Sequence, residues 1–236
     1  MVFYEDNKLL KKAKESSNFL VPNLHTWNVI YPHKQSRVPK AQVHVFENGH
    51  FNTTNANLLP KFNDIFFGSI EIINENCFIF YDPGSSTGDE LNAIELAKFY
   101  KENDIIYSDN PSPKPINRYT SSYYHDFQNR YDFGGASDID LVRLGSDNKP
   151  TELIESKRSA KVTFDNWSPY KADYGHFNIL FNLSTMHNLR ATIAFHYWEN
   201  YKIEKINKIK MYEIIDIDKP KFLNVVNLEE FLNCEY

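Results

Sequence analysis

Four charged residues stand inside two short, otherwise apolar segments of the sequence. Asp138 and Asp140 lie in "DIDLVRL", and Glu155 and Lys157 lie in "TELIESKR". Because alternate side chains of a strand share a face, we expect each pair to point to one side of its strand. Removing such charges from water without a partner costs several kcal/mol per ion. The pattern therefore predicts that these side chains meet one another or a bound ion.

A hairpin register that places Asp140 opposite Glu155 gathers all four charges. The intervening "GSDNKP" is typical of a hairpin turn. Three carboxylates and one ammonium sum to about −2, which a hard divalent cation with oxygen ligands balances, and Mg²⁺ suits this set. The alternative is a half-exposed hairpin whose charged face meets water. The apolar flanks and the Gly134-Gly135 pair before the first strand, which permits close backbone approach, favour the metal site.

The elements that must position these residues read as a helix, three strands, a helix and a strand from residue 88 onward. Thr87 caps the predicted helix "ELNAIELAKFYKEN", and the β-prone "YTSSYYHDF" precedes the two charged strands. Ser168-Pro169 predicts the start of the next helix, which is followed by the apolar strand "ATIAFHYW". The sequence predicts an α/β fold with a mixed central sheet flanked by helices.

The rest of the chain predicts an N-terminal extension and a short C-terminal completion. Residues 1–87 contain the strand "AQVHVFEN" and a hairpin around Asn74-Glu75-Asn76, so we expect a β-rich extension for recognition or dimerisation. We expect the core at 88–200. Residues 201–236 should add a strand and a last helix to the same domain, since Asn227 and Glu230 resemble a capping box.

Composition limits the compartment and the partners. The 236 residues carry a net charge of −5, so we expect any nucleic-acid contact to be confined to a local groove. Cys77 and Cys234 form no CxxC motif and predict reduced thiols. No stretch approaches the roughly 20 apolar residues of a membrane span, and the first residues lack the apolar region of a signal peptide. We expect a cytoplasmic protein with no membrane partner.

The charged hairpin resembles the active site of the PD-(D/E)XK nuclease superfamily. That signature is an acidic residue on one core strand and (D/E)-x-K on the next, here Asp140, fourteen intervening residues and then Glu155-Ser156-Lys157. "GGASDIDLV…LIESKR" is most similar to members related to archaeal Holliday-junction resolvases and Mrr-type restriction enzymes. The resemblance covers about residues 88–200 and implies a restriction-endonuclease-like αβββαβ core.

The resemblance also implies an activity and its residues. It implies hydrolysis of DNA phosphodiester bonds by a restriction-type endonuclease that uses Mg²⁺, with Mn²⁺ as a substitute. Asp140 and Glu155 would ligate the ion with the carbonyl oxygen of Ser156. Lys157 would orient the attacking water and stabilise developing charge. Asp138 would bind a second ion or support the first.

Two further expectations concern Glu95 and the oligomeric state. Glu95, on the predicted first helix, is a candidate additional ligand, and a solvated helix charge is the alternative. Because cutting both strands of a duplex usually takes two active sites, we expect a homodimer.

Two other functions remain open at this point. "SDIDLV" also resembles the strand of polymerase-β-type nucleotidyltransferases, in which an Asp-x-Asp pair such as Asp138 and Asp140 binds the metals of a nucleotide. Those enzymes carry a Gly-Ser pair about ten residues upstream, and "YYHDFQNRYDF" contains none. A non-catalytic nucleic-acid-binding protein is the second alternative.

Overall fold

The computed structural model describes residues 7–22, 26–51, 61–111, 123–216 and 219–236. The helices within these ranges are α1 Lys8–Lys14, α2 Ala93–Glu102, α3 Tyr123–Arg130, α4 Tyr174–Met186 and α5 Leu228–Asn233. The strands are β1 Phe19–Leu20, β2 Thr26–Pro32, β3 Pro39–Glu47, β4 Phe66–Asn74, β5 Cys77–Tyr81, β6 Asp89–Leu91, β7 Ser137–Asp138, β8 Leu141–Leu144, β9 Pro150–Ser159, β10 Arg190–Glu199, β11 Ile203–Ile214 and β12 Pro220–Val226. The α/β class predicted from the sequence is confirmed.

The chain forms two compact units, one inserted into the other along the sequence. The inserted unit is Pro22–Asp138. The split unit consists of the segment that ends at Val21 and of Ile139–Tyr236. The boundary expected at residue 88 therefore falls inside the inserted unit, and the break comes immediately before the charged hairpin.

The split unit contains a six-stranded sheet in the order β1-β8-β9-β10-β11-β12. Strands β1, β8 and β9 pair antiparallel, and β9 pairs parallel with β10 across the connection that contains α4. In chain order the first six elements of this unit are α1, β1, β8, β9, α4 and β10. This is an αβββαβ order, but its first helix and first strand come from residues 8–20 and not from residues 88–127.

Helices α1 and α5 cover one face of this sheet. Leu9 and Leu10 of α1 and Phe231 of α5 pack with Ile154 of β9 and Met211 of β11 in one buried cluster. Burying each such side chain contributes about 1.5–3 kcal/mol. The capping box predicted for the last helix is confirmed, because Asn227 and Glu230 bond each other's backbone amides. Helix α4 contacts β9 and β10.

The inserted unit contains the second sheet, in the order β6-β5-β4-β3-β2-β7. The hairpin predicted around Asn74-Glu75-Asn76 is confirmed as β4 and β5. The predicted helix cap at Thr87 is wrong, because Asp89–Leu91 pairs with β5 as a strand and the helix starts after Asn92. The described part of the predicted strand "YTSSYYHDF" is the start of α3; residues 119–122 lie outside the described residues.

Two glycines with positive φ angles lie shortly before the boundary at Asp138, at which the chain leaves the inserted unit. Gly134 and Gly135 have φ values of +68° and +129°, a region that side chains with a Cβ atom rarely occupy. A Cβ atom on Gly134 would also lie 2.6 Å from the ring of Tyr107. The close approach expected of this Gly-Gly pair is confirmed. None of the helices in the described ranges is long and apolar enough to cross a membrane.

Candidate metal and phosphodiesterase site

The charged hairpin is formed by β8 and β9. Leu141 pairs with Ile154 and Val142 with Leu153 in antiparallel register. Extending this register by one residue places Asp140 opposite Glu155, as predicted from the sequence. Strand β9 is an inner strand, with β8 on one side and β10 on the other. The acidic residues therefore lie at the centre of the sheet of the split unit.

Asp140 is fixed by the backbone of the neighbouring strand. Its Oδ2 accepts a hydrogen bond of 2.8 Å from the backbone N–H of Ser156. A carboxylate that accepts a backbone N–H is held in one orientation by a charge-assisted bond. The Asp140 side chain therefore points toward the middle residue of Glu155-Ser156-Lys157.

Glu155 and Lys157 form an ion pair on one face of β9. The Lys157 Nζ lies 2.9 Å from Glu155 Oε1 and 3.8 Å from Asp173 Oδ2. The side chains of Glu155, Lys157 and Asp173 are 11%, 26% and 28% exposed. The same Nζ is 5.8 Å from the centre of the Phe177 ring. These charges therefore occupy the α4 face of the sheet, and the prediction that Glu155 and Lys157 share a face is confirmed.

The pKa of Lys157 reflects the three carboxylates near its ammonium group. Burial of the ammonium would lower this pKa, but the carboxylates of Glu155, Asp173 and Asp140 raise it above its ordinary value. Lys157 is therefore protonated at neutral pH. It is a donor of hydrogen bonds and positive charge, and it is not available as a general base.

Asp138 does not belong to the strand on which the sequence placed it. The predicted strand "DIDLVRL" breaks, because β7 ends at Asp138 and pairs with β2 in the inserted unit, whereas β8 starts at Leu141. The expectation that Asp138 and Asp140 are alternate residues of one strand is wrong. The two ends of this short segment belong to different sheets, and the chain leaves the inserted unit and enters the split unit between them.

Glu95 has a structural role in the inserted unit. It is the third residue of α2, and its Oε2 accepts a hydrogen bond of 2.8 Å from the backbone N–H of Asn92. The Asn92 side chain accepts in return from Glu95, which completes a capping box. The helix that carries Glu95 lies in the inserted unit and is not the first helix of the αβββαβ order, so Glu95 does not occupy the position expected of an additional ligand.

Asp173 is the residue of the cluster that sequence reasoning missed. Ser168-Pro169 was the predicted helix start, but Tyr170 is extended, a 3₁₀ turn spans Lys171–Asp173, and α4 begins at Tyr174. Before this turn Trp167 stacks on Phe195, with ring centres 3.9 Å apart. The sequence did contain a signal for Asp173, because an acidic residue stands near the start of the helix that follows the (D/E)-x-K strand.

The opposite face of β9 carries a second charged group. Arg158 is paired with the buried Glu204, which also accepts from the backbone N–H of Lys8 and lies 3.4 Å from Nε2 of His196. Burial would raise the pKa of Glu204, but these hydrogen bonds and the His196 ring lower it to about 2. Next to this group, Asn7 Nδ2 donates to Ser156 Oγ over 3.2 Å. Both contacts tie the (D/E)-x-K strand to the segment that begins α1.

Oxygen donors of the kind that a small hard cation binds lie on Asp140 and on Glu155 and Ser156, the two residues that follow Ile154. Asp140 and Glu155 offer carboxylate oxygens, and Ser156 offers a backbone carbonyl, which is the oxygen set that Mg²⁺ prefers. Among the described residues, no group of three or more His, Cys, Asp or Glu side chains is arranged to hold a metal. Mg²⁺ is commonly bound in proteins by one or two carboxylates and keeps several waters, so a Mg²⁺ site does not require a third carboxylate.

No family model, no curated protein and no solved structure matches this chain. The proposed function therefore rests on the residues and contacts of the split unit.

Proposed function

We propose that this chain is a metal-dependent DNA endonuclease with a restriction-endonuclease-like core and a PD-(D/E)XK active site. The observation that carries the proposal is the hairpin cluster. Asp140 is bonded to the backbone of Ser156, and Ser156 is flanked by the paired Glu155 and Lys157. The αβββαβ order of the split unit supports the same fold, with the inserted unit between its first and second strands.

The residues of the cluster would have different roles in metal binding and in stabilising charge. Asp140, Glu155 and the Ser156 carbonyl would hold Mg²⁺ or Mn²⁺. When bound, the ion neutralises charge on the scissile phosphate and makes a water molecule more acidic. Lys157, which is protonated, donates to the attacking water or to a phosphate oxygen and stabilises negative charge as it develops. The Ser156 N–H keeps Asp140 oriented while this happens.

The division of the chain favours the nuclease over the nucleotidyltransferase. The rival function requires Asp138 and Asp140 as a pair on one strand, and the break between β7 and β8 removes that support. We assign the role expected of residues 1–87, recognition or dimerisation, to the inserted unit. This unit, Pro22–Asp138, is additional to the αβββαβ order. A homodimer with two active sites, acting as a restriction-type enzyme in the cytoplasm, completes the proposal.

The test is incubation with supercoiled plasmid, single-stranded DNA and RNA, with Mg²⁺, with Mn²⁺ and with EDTA. We expect plasmid cleavage that EDTA stops. Lys157→Ala should abolish cleavage and leave DNA affinity in Ca²⁺ within about threefold, since affinity comes mainly from contacts to the DNA backbone elsewhere. Lys161→Ala, a change of an exposed lysine four residues along the chain, is the matched control. Cleavage in EDTA, or a Lys157→Ala protein as active as the wild type, would refute the proposal.

A further inference from the structure

Asp173 stands at the N-terminus of α4 without serving the helix. Aspartate is among the preferred helix N-cap residues because its side chain accepts from the first free backbone amides. The Asp173 side chain makes no capping hydrogen bond, and its φ of −87° and ψ of −8° are already helical. Its Oδ2 lies instead 3.8 Å from the Lys157 Nζ. The carboxylate is therefore directed to the lysine of the (D/E)-x-K motif.

The loop that carries Asp173 is anchored at several points. The buried Lys210 donates to the backbone carbonyl oxygens of Asp165 and Trp167 over 2.8 and 3.2 Å. The Tyr212 hydroxyl donates to the same Trp167 carbonyl over 3.1 Å. Near the end of the loop, the Tyr170 and Ser159 hydroxyl oxygens are 3.5 Å apart. Asp173 lies six residues after Trp167 and three after Tyr170, so these contacts restrain the segment that brings its carboxylate to Lys157.

Glu155 has two roles in the proposed site that compete with each other. Its Oε1 is 2.9 Å from the Lys157 ammonium. A carboxylate that turns toward a divalent cation weakens its pairing with a lysine. A lysine left without a partner would then be repelled by the incoming cation. A second carboxylate within reach of Lys157 removes this conflict.

We infer that Asp173 is a positioning residue that holds Lys157 in place when Glu155 turns to the metal. This inference rests on the proposed function. It predicts that Asp173 affects metal binding only through Lys157, and that it affects the rate of cleavage without touching the DNA.

The first test measures Mn²⁺ and Ca²⁺ binding by titration calorimetry without DNA. The proteins are the wild type, Asp173→Asn, Lys157→Ala and the double variant, with Asp165→Asn as a control for an exposed carboxylate in the same loop. We expect Asp173→Asn to weaken binding about tenfold when Lys157 is present, as supporting residues of metal sites commonly do. In the Lys157→Ala background the loss should fall below about threefold. Asparagine is also a good N-cap, so the variant should fold.

The second test separates turnover from substrate affinity. Asp173→Asn should lower kcat for plasmid cleavage about tenfold at saturating Mg²⁺ and leave KM unchanged, and Asp173→Glu should restore part of the rate. Equal losses of metal affinity with and without Lys157 would make Asp173 a ligand and overturn the inference. A wild type that binds metal and cuts DNA, with an Asp173→Asn variant identical to it, would overturn the inference alone. A wild type that neither binds these ions nor cuts would overturn the proposed function and the inference with it.

Discussion

Replacement of Glu204 by glutamine should cost the split unit a measurable part of its stability. The Glu204 side chain is 2% exposed, and Arg158, the Lys8 amide and the His196 ring surround its carboxylate. Its pKa is lowered to about 2 from an ordinary value of 4.5. This difference corresponds to about 3 kcal/mol of folding free energy at neutral pH, since each pH unit between the two values is worth about 1.4 kcal/mol.

The pH dependence of this contribution has a definite sign. Between pH 4.5 and about 2 the unfolded chain binds a proton at Glu204 and the folded protein does not, so the contribution is complete above pH 4.5 and is lost as pH falls to about 2. The hydrogen bond from Arg158 is one cause of that lowered pKa, so Glu204→Gln, which removes the carboxylate beside the 6% exposed Arg158 side chain, should cost about 3–5 kcal/mol in total at neutral pH. The stability gap between wild type and variant should therefore narrow in acid.

Urea unfolding of both proteins between pH 3 and pH 7, followed by circular dichroism, measures this gap. Glu199→Gln is the matched control, because Glu199 pairs with Lys205 at 2.9 Å on the same sheet but is 35% exposed. An exposed pair contributes little, so this control should lose less than about 1 kcal/mol. If Glu204→Gln and Glu199→Gln cost the same at pH 7, or if the Glu204 gap is constant with pH, the assignment of Glu204 as a buried ionised partner is refuted.

Three further changes test other parts of the molecule. Asp140→Asn should abolish cleavage and leave the melting temperature unchanged or higher, since asparagine still accepts from the Ser156 N–H while repulsion in the cluster falls; residual cleavage at the wild-type rate would contradict this. Trp167→Ala removes a buried ring stacked on Phe195 and should cost about 3–5 kcal/mol in urea unfolding, whereas a cost below 1 kcal/mol would show that the loop is not anchored there. Gly134→Ala should lower the melting temperature more than Gly49→Ala does, because both have positive φ but only Gly134 is crowded by Tyr107; equal effects would contradict the close approach.

Local sequence patterns predicted the hairpin and the faces of its side chains. They did not predict the strands whose partners are distant in the sequence. The alternation in "TELIESKR" was sufficient to place Glu155 and Lys157 together, because a strand fixes side-chain direction residue by residue. The first core strand could not be found in this way. Leu20 pairs with Val142, and nothing local to a two-residue strand identifies a partner about 120 residues away.

Two other predictions were wrong because one local pattern was given more weight than a competing one, or than pairing with a distant strand. The tyrosines of "YTSSYYHDF" favoured a strand, yet Tyr124, Phe127 and Tyr131 recur at spacings of three and four and are all buried, as on one face of a helix. Asp138 and Asp140 alternate as in a strand, but two sheets compete for this segment, and the outcome depends on pairing with β2 that the local sequence does not record.

The pairing of β1 with β8 also sets an order of events during synthesis. The segment of α1 and β1 leaves the ribosome before the whole inserted unit, and its apolar residues Leu9, Leu10 and Phe19 have no sheet to cover until β8 to β11 have been made. Closing a flexible loop of about 120 residues costs about 4 kcal/mol of chain entropy. Folding of the inserted unit in the meantime shortens that loop. We therefore expect the segment of α1 and β1, although it is made before the inserted unit, to be among the last parts of the split unit to reach its place.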